Sequence, residues 1–554
     1  MEKIKNIIMD NKIFVVIAIC IILTIFMPLT QSTLIIGDDY LYHISRIQSI
    51  ADDIKLGNFP VKIHSQMANS YGYASGIFYP NLFFYFPAIL TLLGFHVITS
   101  YKIFIFFMLI LMFGICFISL KNITSDSKCA LIGTIIIMLS RNLILNLYHR
   151  SAIGEFLGFM FIPLIIAGMY DYIHNDFKKT WMIVIGFWGV INTHVLTTVI
   201  CVFVTLFYFL INIKTTIENP KKFGKLVLCA LIVALLTISF WLPAIEQHFS
   251  QEFKYAVPWS KIGGSEYTLI DLLGDRRYSV GLLITMIMPI FIYVLLDKNI
   301  EKNNKKFIYV TLILMGISIW HWFWKVTNDF TNVIQFKWRM VGLITVFSGI
   351  SLAIIVKEYK EKIGKNIENL IIGILAIAVF LTIEFINFDN RTYKIATYDD
   401  VKRDVYTSIY SLGGGQEYFP VNMEYEKLFN PHQVFGNKGT IISLSKNALA
   451  ANFMKETDDT IFVVPYVYYY GYVAHLEKEN GEIVPLEVEK SEDGFVELHI
   501  NPEDMGKVNV WYNGTKIQKI SYIITACSYI GLVIYIVIKK VRLNKKETKE
   551  VVEK

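Results

Sequence analysis

The chain reads as an α-helical polytopic membrane protein with a β-rich domain outside the membrane, near its C-terminus. Three observations predict this. First, 54% of the 554 residues are hydrophobic and 15% aromatic, with a mean hydropathy of +0.48, outside the usual range of soluble domains. Second, membrane-length apolar runs recur through most of the chain. Third, lysines gather in the short loops between those runs, and placing nearly all of them on one side yields a consistent topology. The net charge of +6 therefore reports orientation and carries no nucleic-acid signature. The six cysteines (Cys20, Cys116, Cys129, Cys201, Cys229, Cys527) all lie within apolar runs, with no metal-ligand spacing and no disulfide framework.

The first span is predicted at 13–29. Lys3, Lys5 and Lys12 precede it, so the N-terminus is expected in the cytoplasm and the following segment outside. No small-residue cleavage site marks the run as a signal peptide. The outer segment, 31–100, holds Gly37-Asp38-Asp39-Tyr40-Leu41-Tyr42-His43-Ile44-Ser45-Arg46-Ile47, then Tyr71-Gly72-Tyr73 and Tyr79-Pro80-Asn81-Leu82. The apolar run at 80–95 is read as a re-entrant or surface helix, because counting it as a span would put Lys121 and Lys128 outside. Further spans are expected at 101–120, 129–147 and 156–170. A hairpin of 181–192 and 196–211 carries Thr193-His194 at its outer tip. Runs at 226–240, 280–296, 307–322, 341–355 and 370–385 complete a transmembrane domain over 1–386. From 387 to 519 the chain is polar and in places alternates, as in Leu486-Glu487-Val488-Glu489 and Val496-Glu497-Leu498-His499-Ile500, which predicts strands. Gly413–Gly415 within it reads as a loop. A last span at 520–538 leads to a basic tail, 539–554, expected in the cytoplasm. The total is about twelve spans with both termini inside.

Under that topology the unusual ionisable residues share the outer rim: Asp38, Asp39, His43, Arg46, Arg150, Glu155, His194, Glu246, Lys337 and Arg339. Singly, each fits an interfacial anchor, and lysine or arginine can snorkel. As a group drawn from different spans they outline a site. Arginines suit a phosphate, which their planar fork of donors grips. Carboxylates suit a general base for a hydroxyl, or a clamp for Mg²⁺ or Mn²⁺ by Asp38, Asp39 and Glu155. If Gly37–Ile47 is helical, Asp39, His43 and Arg46 fall at i, i+4 and i+7 on one face. Leu41, Ile44, Ile47 and Ile54 then form a neighbouring face, which also fits a helix lying along the membrane surface.

Several short motifs carry a resemblance. They are Gly37-Asp38-Asp39 with His43 and Arg46, Tyr79-Pro80-Asn81-Leu82, Arg150-Ser151-Ala152-Ile153-Gly154-Glu155, Thr193-His194, Phe240-Trp241-Leu242-Pro243, and Phe336-Lys337-Trp338-Arg339. Together with the outer β domain they resemble the GT-C membrane glycosyltransferases. The resemblance is closer to the bacterial membrane proteins called "6-pyruvoyl-tetrahydropterin synthase-related" and to the YfhO-like family. Pro465-Tyr466-Val467-Tyr468-Tyr469-Tyr470-Gly471-Tyr472 resembles a segment of the YfhO-like outer domain; its aromatics fit either sugar stacking or core and cross-strand pairing.

The resemblance implies a GT-C-like fold in the bacterial cytoplasmic membrane, with the active side outside. The abundance of Ile, Lys and Asn points to a low-GC bacterium. The implied reaction moves a sugar from a polyprenyl-phosphate-linked donor to an envelope glycan, polymer or lipid acceptor. It casts Asp38 or Asp39 as general base and Glu155 as a second site carboxylate, with Arg150, His194 and Arg339 on the lipid phosphate. His43, Arg46, Glu246 and Lys337 complete the expected donor-binding set. Membrane lipids are the expected surroundings, and no organic cofactor is implied. Lys337 stands where the family usually has proline. No Trp-Trp-Asp motif is present, so asparagine glycosylation is not implied, and no histidine cluster suits a pterin-synthase zinc site. Transport of a lipid-linked saccharide, or a non-catalytic role in envelope assembly, are the alternatives.

Overall fold

The structure is a computed structural model that describes residues 12–254, 262–264, 266–390, 395–412 and 417–552. Lys3, Lys5 and Gly413–Gly415 lie outside the described residues. The protein is mostly helical, with one β domain near the C-terminus. Among the described residues, seven helical stretches are long and apolar enough to cross a membrane: Ile13–Thr30, Val97–Thr124, Ile153–His174, Pro220–Ser250, Lys337–Glu358, Lys360–Asn387 and Lys516–Val541. An eighth is broken: Ser127–Met138 and Arg141–His149 meet at 43°. Helices Trp181–Ile191, Val195–Ile211 and Leu282–Leu296 have 11, 17 and 15 residues. At 1.5 Å per residue each falls short of a hydrocarbon core of about 30 Å. Tyr85–Leu92, in the run read as re-entrant, has only 8 residues and is shorter still.

The break after Met138 has a local cause. Ser140 is extended and its hydroxyl accepts from Leu143 N, restarting the helix at Arg141 with a new cap. The backbone then widens into a π turn over Leu145–His149, a feature that often marks functional positions. The turn ends where Arg150 leaves the helix, and so aims the segment Arg150–Glu155.

The β domain is a nine-stranded antiparallel sheet in the order β4-β3-β7-β10-β9-β8-β11-β6-β5. The strands are β3 Gln433–Gly436, β4 Ile441–Ser443, β5 Ser445–Asn447, β6 Ala450–Lys455, β7 Ile461–Val467, β8 Tyr472–Glu477, β9 Ile483–Lys490, β10 Phe495–His499 and β11 Gly506–Tyr512. The alternating runs at 486–489 and 496–500 are β9 and β10. The sheet curls so that its halves share one core; Phe453 of β6 and Phe462 of β7 lie 5.7 Å apart between ring centres. Tyr466, Tyr469 and Tyr472 sit inside that core, so of the two readings of this aromatic run the packing one describes these three.

The segment after the first long apolar helix enters the same core. Ile63, Met67, Tyr71, Tyr73 and Ile77 cluster with Phe462, Val464 and Tyr466. Val467 N donates to Tyr71 O (2.9 Å), while Tyr73 OH donates to Leu412 O (2.9 Å) and Glu417 O (2.6 Å). Farther out, β1 (Leu34–Ile35) pairs with β2 (Ile395–Ala396). The β domain is thus stitched to the membrane-entry segment, and this stitching covers the helix Tyr40–Lys55. Leu41 through Ile47 are all buried. A helix lying along the membrane surface with one solvated side is therefore not what forms.

Candidate functional site

Gly37 begins the site by close approach. A Cβ there would stand 2.7 Å from both Ser151 N and Tyr148 O, so only glycine lets the two loops touch. Asp39 N donates to Arg150 O at 2.7 Å. This backbone bond fixes Asp38 and Asp39 above the Arg150–Glu155 segment. The two aspartates then diverge. Asp38 is exposed and pairs with Arg277 at 3.0 Å; Arg277 also donates to His149 O at 2.7 Å. Asp39 is half-buried at the start of the helix and turns toward Arg150 and Arg339. Burial pushes its carboxyl up to about 6, against the pull of Arg150, with Asp38 and Glu417 adding to the rise.

Glu155 is the centre of the buried charges. Arg150 Nη1 donates to Glu155 Oε2 (2.7 Å) and to Asn146 Oδ1 (2.6 Å), and its guanidinium lies over the Trp338 ring at 4.5 Å. Arg339 Nε reaches the same Oε2 at 3.7 Å, while its Nη1 donates to Ile334 O at 3.0 Å. Trp338 is held by Tyr278 and Phe336, stacked on it at 4.6 and 5.3 Å. His194 caps the helix Val195–Ile211, with Nδ1 2.7 Å from Thr197 Oγ1. Burial drives its imidazole down to about 3, opposed by Glu155, so it is neutral at physiological pH. Gly154 lets Tyr79 and Thr193 close over Glu155; a Cβ there would lie 2.9 Å from Thr193 O and collide with the Tyr79 hydroxyl.

Beneath this cluster is a cavity lined by Asn142, Asn146, Glu155, Phe159, Thr197 and Arg339, among others. Asn146 Nδ2 and Arg339 Nε are buried there without hydrogen-bond partners. The cavity shares Ile162 and Leu343 with a second, mainly apolar cleft lined by Ile166, Val204 and Phe347 together with Thr205 and Tyr208. The arrangement therefore sets charged and amide donors beside mainly apolar walls.

The structure brings Asp39, Arg150, Glu155, His194 and Arg339 together and leaves others apart. His43 stacks on Phe84 (5.4 Å, 8°) and is held far below the ordinary imidazole range by burial and then by Arg46. Arg46 is fully buried, wrapped by Phe84, Tyr79 and Tyr42 at 4.2, 4.5 and 5.3 Å, and donates to Pro80 O (2.8 Å) and Asn81 Oδ1 (2.7 Å). It lies behind the site, with Tyr79 between. Lys337 turns another way, with Nζ 3.4 Å from His321 Nδ1, because the 3₁₀ turn Lys337–Arg339 sets side chains two residues apart about 120° from each other around its axis. Glu246 accepts from the Thr515 hydroxyl at the joint between β domain and final helix. Asp38, Asp39 and Glu155 do not converge as metal ligands. Among the described residues the trio that does is Glu489, Glu497 and His499, on the surface of β9 and β10.

Two site residues escaped the sequence reading. Asn146 is an amide inside an apolar run, which is a legible signal. Glu417 follows the triple glycine and bears on Asp39 electrostatically from the β-domain side; nothing local to its sequence announces it.

Residues 12–328 match a family described as "Family of unknown function (DUF6541)". The chain belongs to this family. A relative in Lactococcus lactis subsp. cremoris (strain MG1363), described as "Uncharacterized protein", is 23% identical over 605 residues, covering 97% of this chain and 96% of the relative. The similarity to that relative therefore includes the β domain, beyond the reach of the family match.

Proposed function

We propose that the protein transfers a sugar from a polyprenyl-phosphate-linked donor to a hydroxyl of an envelope glycan, polymer or lipid at the outer face of the cytoplasmic membrane. The observation that supports this most is the pair of buried donors, Arg339 Nε and Asn146 Nδ2, at a small cavity of about 20 Å³ that shares Ile162 and Leu343 with a neighbouring, mainly apolar cleft and would have to widen to admit a phosphate. An anionic head group followed by a long hydrocarbon chain matches that order of surfaces. The sequence resemblance to GT-C glycosyltransferases supports the same reading.

In this mechanism Arg339, Arg150 and His194 hold the donor phosphate, and Glu155 fixes the two guanidiniums. Asp39, ionised at neutral pH yet more basic than an ordinary aspartate, accepts the proton of the acceptor hydroxyl. The acceptor oxygen bonds to the anomeric carbon as the bond from that carbon to the phosphate oxygen breaks. The lipid phosphate leaves with the electron pair, and the arginines stabilise its charge. Arg46 positions Tyr79, while Glu246 and Lys337 take no part. An Asp39→Asn variant assayed in membranes with a labelled polyprenyl-phosphate sugar is expected to lose activity by about 10²–10⁴-fold. Full transfer at unchanged protein level would remove Asp39 as base.

A second reading, movement of a lipid-linked saccharide across the membrane, draws on the 43° break after Met138, since interrupted helices line many transport sites. Donor lipid that changes leaflet without any transferred product, in wild type and Asp39→Asn alike, would favour it.

A further inference from the structure

We infer that the outer face of the β domain binds an uncharged oligosaccharide on a platform centred on Trp511. In register across four strands, Ser445 of β5 pairs with Asn452 of β6, Asn452 with Asn509 of β11, and Asn509 with His475 of β8. One row of polar side chains therefore crosses the sheet, about 14 Å wide at the usual strand spacing. That is the span of two or three sugar rings. Trp511 lies two residues along β11 on the same face, half-buried, with its ring 5.4 Å from His475 at 75°. Ala450, opposite it in register, leaves space beside the indole. These residues line one open concavity.

The chemistry of the row points to the ligand. The alternate positions, Ala451, Phe453, Val508, Val510, Ala474 and Leu476, fill the domain core, so the row faces outward by the period of the strand. Asparagine is depleted in strands because it offers the sheet nothing and competes for backbone bonds. Two asparagines directly opposed at mid-strand thus weaken the sheet for some other end. Asn509 Nδ2 and His475 Nε2 lie 3.2 Å apart, so the two side chains pair across the strands. Amides donate and accept at once, as sugar hydroxyls do. An indole face packs on the C–H face of a pyranose ring. The centre of the row carries no charge; Lys507 and Glu477, opposed in register, stand at its border. A nucleic acid or acidic polymer would ask for cations at the centre. A neutral saccharide asks for amides, an imidazole and a flat aromatic ring, all present.

This inference does not depend on the proposed transfer reaction, and its test needs no donor lipid. Full-length protein in lipid nanodiscs is titrated with a panel of uncharged oligosaccharides of hexose, 6-deoxyhexose and N-acetylhexosamine units, read by saturation-transfer NMR and calorimetry. At least one member is expected to bind with a Kd of about 0.1–1 mM. Trp511→Ala and Asn452→Ala should each weaken it about tenfold or more, while Trp511→Phe stays within about threefold. Thermal melts of the variants separate lost binding from lost folding. The Asp39→Asn protein should bind as wild type, so a failure of transfer and a failure of this platform remain distinct. No binding by any member up to about 10 mM, or equal binding by wild type, Trp511→Ala and Asn452→Ala, overturns the inference.

Discussion

Arg46 and the Arg150–Arg339 pair are neighbouring buried guanidinium sites held in opposite ways. The pair shares one carboxylate, Glu155, which leaves a net positive charge, and faces a cavity in which donors remain unused. Arg46 has three aromatic rings, a carbonyl and an amide oxygen around it, and none of the ion pairs seen among the described residues includes it. Water is excluded from both, so both resist loss of their partners. The difference lies in what surrounds the spare donors: Arg46 Nε and Nη1 also lack hydrogen-bond partners, but aromatic rings enclose them, whereas Arg339 Nε lines a cavity. A guanidinium shared with a carboxylate beside a cavity can add an anionic ligand, whereas one enclosed by rings has become part of the packing. Ionisable residues near the ends of the apolar helices thus divide into a candidate site and its scaffold, and burial alone does not tell them apart.

Glu155→Gln tests this division most severely. It leaves two buried guanidiniums without their counter-charge and should cost about 3–5 kcal/mol of stability in detergent unfolding. Adding Arg339→Met should restore most of the stability and none of the transfer. If the double variant stays as unstable as the single one, the pair is not held by Glu155. Arg46→Ala comes next, at about 2–4 kcal/mol from the cavity and the lost ring contacts. Arg46→Lys should not rescue it, because an ammonium cannot stack on three rings and fork to two oxygens. Transfer by the fraction that remains folded should be near normal; a specific loss of turnover would move Arg46 into the site.

The pH profile sharpens the role of Asp39. Its carboxyl is raised from 3.8 to about 6, so the base is protonated below that value and transfer should fall as pH drops through 6. The stability effect has the opposite sense. A raised carboxyl favours the fold below pH 3.8, and that advantage is lost as pH rises through 6. Asp39→Asn should therefore melt higher than wild type at pH 7.5, with the gap closing at pH 5. The smallest effect belongs to Asp38→Asn. Its exposed pair with Arg277 should contribute less than about 1 kcal/mol, and transfer should change less than about threefold. A large loss there would transfer the general-base role from Asp39 to its neighbour.

Much of the fold was legible because its signals are local. The apolar runs, the alternation that became β9 and β10, and the glycine before Asp38 are all short-range patterns. The candidate site was only partly legible. Arg150 and Glu155 are five residues apart, and their pairing could be expected from the chain alone. Arg339 joins them and Lys337 does not, although two residues separate them; a single 3₁₀ turn decides which side chain faces in. Glu246 fitted the outer-rim pattern as well as any, yet serves the joint to the final helix.

By itself, the sequence determined the helical class, the position of the β domain, and the residue types that gather near the ends of the apolar runs. These follow from hydropathy, charge and period, which act over a few turns of chain. The tertiary structure alone decided that Tyr71 and Tyr73 stitch the first outer segment to the β domain. It also decided that Asp39 is shielded while Asp38 is not, and that Arg46 packs behind the site while Arg150 and Arg339 share Glu155 in front of it. Those outcomes depend on contacts between residues from about thirty to several hundred positions apart. Their energies come from excluding water around charges, and no local pattern encodes them.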